Sequence, residues 1–65
     1  MNQISLIGPN GEEVIFTFNG HKNPVSFEKF DSQKSPKEVF DELRANGYKA
    51  MGEEEDWLIT GKWPE

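Results

Sequence analysis

The chain has no cysteine and only one histidine, His21. Without cysteine there is no disulfide framework and no thiolate metal site. No run of apolar residues approaches the roughly 18 needed to cross a bilayer, so no transmembrane helix is expected. The first residues lack the basic stretch and long apolar core of a secretory signal, which points to a cytoplasmic location. Basic residues are scarce as well. Seven Lys and Arg stand against twelve Asp and Glu, for a net charge of −5, and the pI is near 4.7. Binding to a phosphate backbone draws on lysine and arginine, so direct nucleic-acid binding is not expected.

What the chain does have is aromatic side chains. Five Phe, two Trp and one Tyr in 65 residues supply large rings for a compact core. They argue for a folded chain despite a mean hydropathy of −0.78. The length suits one small domain over residues 1–65.

Two alternating runs flank a dense turn signal. Ile4 and Leu6 share one face of the first run. Val14, Phe16 and Phe18 share one face of the second, with Glu13, Ile15 and Thr17 on the other. Gly8-Pro9-Asn10-Gly11 lies between them, so an antiparallel hairpin is expected. Asn19 to Pro24 reads as a loop. The stretch from Val25 to Phe30 reads as a short strand at a sheet edge, or else as one helical turn placing Phe27 and Phe30 together.

Ser35-Pro36-Lys37-Glu38 is a helix start. Ser35 can accept at the N-cap, proline suits the first helical position, and Glu38 completes a capping box. Val39, Phe40 and Leu43 form the apolar stripe, and Gly47 suits the left-handed residue after the helix. The helix is therefore expected over 36–46. Residues 48–51 and 57–60 read as short strands around an acidic loop, Gly52-Glu53-Glu54-Glu55-Asp56, forming a second hairpin. The expected fold is α+β, ββ(β)αββ in order, with a mostly antiparallel sheet and one helix packed on one face.

Chemistry finds little support. His21 sits in a Gly/Asn loop with no adjacent aspartate, and no thiol nucleophile exists. An enzyme, a bound cofactor and a metal site are not expected. Asp31 to Glu42 has the length of a calcium loop with acids at both ends, but Pro36 occupies the position where the sharp turn needs glycine.

Two features point to binding. From Ser35 onward there are eight acids against four bases, compared with four against three before it. Asp41, Glu42, Glu53, Glu54, Glu55 and Asp56, with the ring of Trp63, are the candidate surface for a partner protein carrying a basic face. The chain would then act as a regulator, inhibitor or accessory subunit. The bland reading of the same acids is a solvated surface that keeps a small sheet protein soluble. The alternative function is a ligand-binding module that stacks a glycan or single-stranded nucleic acid on Trp57, Trp63 and Tyr48. The edge from Val25 to Phe30 also leaves a homodimer by strand addition open.

Overall fold

The computed structural model describes residues 2–20 and 23–64. Six elements follow one another: β1 (Asn2–Ile7), β2 (Glu13–Phe18), β3 (Pro24–Glu28), α1 (Pro36–Ala45), β4 (Lys49–Ala50) and α2 (Glu53–Thr60). The strands form one antiparallel sheet in the order β3-β2-β1-β4. It is a small α+β domain.

The first hairpin forms as its alternation dictates. Leu6 faces Val14 and Ile4 faces Phe16 across the β1–β2 ladder. The Gly8 amide donates to the Glu12 carbonyl at 2.7 Å, and the Gly11 amide to the Gly8 carbonyl at 3.0 Å. Gly11 takes φ 88°, a conformation glycine adopts without steric cost. Ile4, Leu6, Val14, Phe16 and Phe18 are all buried on one face of the sheet.

Helix α1 covers that face. Ser35 accepts from the Glu38 amide at 3.3 Å, as the N-cap reading requires. The Glu38 carboxylate accepts from the Ser35 hydroxyl at 3.1 Å. At the far end the Tyr48 amide reaches the Leu43 carbonyl and the Gly47 amide reaches the Arg44 carbonyl, at 3.0 and 3.2 Å. With Gly47 at φ 91°, this is a Schellman closure. Val39 and Leu43 are buried. Phe40 packs edge-on against both Phe16 and Phe18, with centroids 5.1 and 5.5 Å apart.

The expected edge strand is present as β3, beginning at Pro24, and the helical-turn option is not adopted. The loop expected before it includes His21 and Lys22, which lie outside the described residues. Thr17 faces Ser26 but Phe18 faces Pro24, so Val25 is an extra residue that bulges from the ladder. Lys29, at φ 65°, turns the chain out of the sheet.

The second hairpin does not form. Lys49 and Ala50 pair with β1, opposite Ile7 and Leu6, rather than with residues 57–60. Gly52 then turns away at φ 59°, and Glu53–Thr60 coil into α2. The physical reason lies in its first turn. Four consecutive acids there are favoured by the unpaired amides and positive end of a helix. Gly61, left-handed at φ 75°, closes the other end by donating to the Trp57 carbonyl at 2.8 Å. The observed order is therefore βββαβα: the strand expected over 48–51 is present as β4, and a second helix replaces the acidic loop and the strand expected over 57–60.

Candidate functional site

Helix α2 buries none of its residues fully, and one of its acids ties it to the rest of the domain. Arg44, in the last turn of α1, donates to both Glu55 oxygens, at 2.7 and 3.2 Å. The Ala50 amide donates to Glu55 Oε1 at 2.9 Å, and Arg44 also donates to the Tyr48 carbonyl at 3.1 Å. One carboxylate thus joins α1, β4 and α2. Its side chain is 20% exposed and that of Arg44 25%. The hydrogen bonds from Arg44 hold the Glu55 carboxyl below the usual carboxylate range, helped by the Ala50 amide and by the charges of Arg44 and Lys49.

The aromatic tail provides the second attachment. Trp63 packs on Phe18 with centroids 5.1 Å apart and on Trp57 at 5.8 Å. Trp57, Leu58 and Trp63 are half-buried against the core, whereas Ile59 stays 67% exposed and Met51 68%. A strand over 57–60 would put Trp57 and Ile59 on one face. The helix separates them. Tyr48 lies over the first turn: a Cβ at Gly8 would stand 2.7 Å from Tyr48 Cζ. All three rings named for stacking a ligand therefore take part in packing.

The remaining candidate acids divide into two groups. On α1, Asp41 is paired with Lys37 at 2.9 Å and Glu42 with Lys34 at 2.9 Å. Glu42 in turn raises the Lys34 pKa, through its hydrogen bond first and its charge second. Asp41 is three residues from Arg44 and shares its flank, the side facing α2. Glu42 is two residues from Arg44, about 200° around the helix, and so lies on the opposite flank. The structure does not gather all six acids on one surface.

On α2 the position differs. The carboxylates of Glu53, Glu54 and Asp56 form no ion pair or hydrogen bond among the described residues. Glu53 and Asp56 are exposed and Glu54 is half-buried. Asp56 and the exposed Ile59 are three apart and share a flank. The surface is thus a short acidic turn bordered by apolar side chains.

No enclosed pocket and no group of three or more metal-ligating side chains occurs among the described residues. No helix there is long and apolar enough to cross a membrane. The chain matches no protein-family model, no curated protein and no solved structure.

Proposed function

We propose that this chain is a small acidic protein-binding domain, acting in the cytoplasm without catalysis of its own, that regulates, inhibits or assists a partner through that partner's basic surface. The observation that carries the reading is the set of three carboxylates on α2, Glu53, Glu54 and Asp56, which have no cation partner among the described residues while Asp41, Glu42 and Glu55 each have one. Like charges crowded in one turn repel each other, and a cationic partner relieves that repulsion while meeting the exposed Ile59 and Met51 at the border. Asp41 lies on the neighbouring flank and Trp63 on the seam that holds α2. Glu55 supports the surface rather than contacting the partner.

The test is affinity capture from a lysate of the source cells, comparing the wild-type chain with E53Q/E54Q/D56N. The reading predicts a protein retained by the first and lost by the second. Identical retention by both would overturn it. Glu55 is left intact because its replacement disturbs the attachment of α2.

A further inference from the structure

The two edges of the sheet are built differently. On the β3 side, Pro24 opens the strand, Val25 bulges, Glu28 places a charge and Lys29 turns the chain away at φ 65°. Each of these devices hinders strand addition. On the other side, β4 covers only Leu6 and Ile7 of β1. Residues Asn2, Gln3, Ile4 and Ser5 include no proline and no charge, and on this side no described residue pairs with them in the ladder.

The direction of the main-chain groups there follows from two hydrogen bonds. The Gly8 amide donates to the carbonyl of Glu12, the residue before β2, which continues the register of Ile7 with Glu13, so even positions of β1 aim their N–H and C=O at β2. The Ala50 amide donates to Glu55, so Ala50 aims away from β1 while Lys49, opposite Ile7, aims toward it. Odd positions of β1 therefore aim at the β4 side. Gln3 is exposed, and by this alternation its amide and carbonyl face the lane in line with β4, where no described strand pairs with it.

The end of that lane is acidic. Beyond Ala50 the chain reaches the level of Ser5, turns at Gly52 and begins α2 with Glu53, Glu54, Glu55 and Asp56. A second copy of the chain would bring its own charge of −5 to this seam. A cationic segment would be attracted to it.

We propose that the outer half of β1 receives an extended, lysine- or arginine-bearing segment of a partner protein as an added strand continuing the line of β4. This rests on the acidic-surface reading above and adds its backbone recognition. Gln3 supplies hydrogen bonds, and the α2 carboxylates select for positive charge.

The probe is a synthetic hexapeptide alternating lysine with valine or threonine, titrated into the full chain and followed by two-dimensional amide NMR. A glutamate-for-lysine peptide is the control. The expected result is a saturable shift at Gln3 and its neighbours, with cross-strand contacts from peptide to Gln3. The variant Gln3→Pro removes the outward amide but leaves the β1–β2 ladder intact, and affinity should fall at least tenfold. A synthetic chain N-methylated at Gln3 serves the same purpose if that variant does not fold.

Unchanged affinity in both altered chains would overturn the added strand. If E53Q/E54Q/D56N alone then lost the peptide, the acidic-surface reading would stand without it. Equal binding of the glutamate peptide would overturn the charge selection, and no binding of either peptide would overturn the lane. Contacts between Gln3 of two copies, growing with protein concentration, would assign the lane to a second copy and also overturn the proposal.

Discussion

Arg44 and Glu55, eleven residues apart and on different helices, form a two-point ion pair that ties the end of α1 to the first turn of α2. The same carboxylate satisfies the Ala50 amide at the end of β4. Because α2 buries no residue completely, this pair and the Trp63 contacts with Phe18 and Trp57 fix the position of the acidic turn.

Replacing Glu55 should therefore cost more than replacing its neighbours. For E55Q we expect a loss of about 1.5–3 kcal/mol, the range for hydrogen bonds to charged groups, read from urea unfolding. For E53Q/E54Q/D56N the favourable effect of the helix end is lost, but mutual repulsion is relieved, so the loss should stay within about 1 kcal/mol. Equal losses in the two variants would contradict the roles assigned to these acids.

The Glu55 pair also sets a pH dependence. Its carboxyl pKa is depressed in the folded chain, so its contribution is complete above the ordinary carboxylate value and is lost as pH falls through the depressed value. The stability difference between wild type and E55Q should be constant near neutrality and shrink below about pH 4. Urea midpoints for both chains across the acid range check this. A difference that persists unchanged to pH 2 would contradict it.

Gly8 should not tolerate a side chain, although its backbone does not require glycine. A Cβ there would lie 2.7 Å from Tyr48 Cζ and 2.8 Å from Glu12 Oε1. Gly8→Ala should lower stability by about 1–3 kcal/mol, as overpacking does. Truncating Tyr48 in the same chain should recover part of the loss, and a double-mutant cycle in urea measures it. An additive cycle would show that the ring is not the obstacle.

Ser35→Ala removes the N-cap of α1, which accepts the Glu38 amide. The expected loss is about 1 kcal/mol, measurable as a shifted thermal midpoint. An unchanged midpoint would mean that Pro36 and Glu38 suffice to start the helix.

The parts legible in the sequence were those written in neighbouring residues. The β1–β2 hairpin follows from alternation around Gly8 to Gly11, and α1 from Ser35, Pro36 and Gly47. Helix α2 was obscured because Trp57, Leu58, Ile59 and Thr60 look like a strand over four residues, too short a span for periodicity to decide. Its signature was nonetheless present: acids in the first turn and a glycine at the end. The Arg44–Glu55 pair depends on how two helices meet and left no local mark. Asp41 and Glu42 are adjacent in sequence yet lie about 100° apart around α1 and pair with different lysines, Lys37 and Lys34, so a sequence cluster became two separate places.

The measurement that tests the central claim most directly is affinity capture with wild type and E53Q/E54Q/D56N at low and moderate salt, read by mass spectrometry. The account predicts a cationic protein held by wild type at low salt, released as screening increases, and missing from the variant at both salts. A partner held equally by both chains, or one whose retention ignores salt, would contradict the claim that these three carboxylates are the recognition surface.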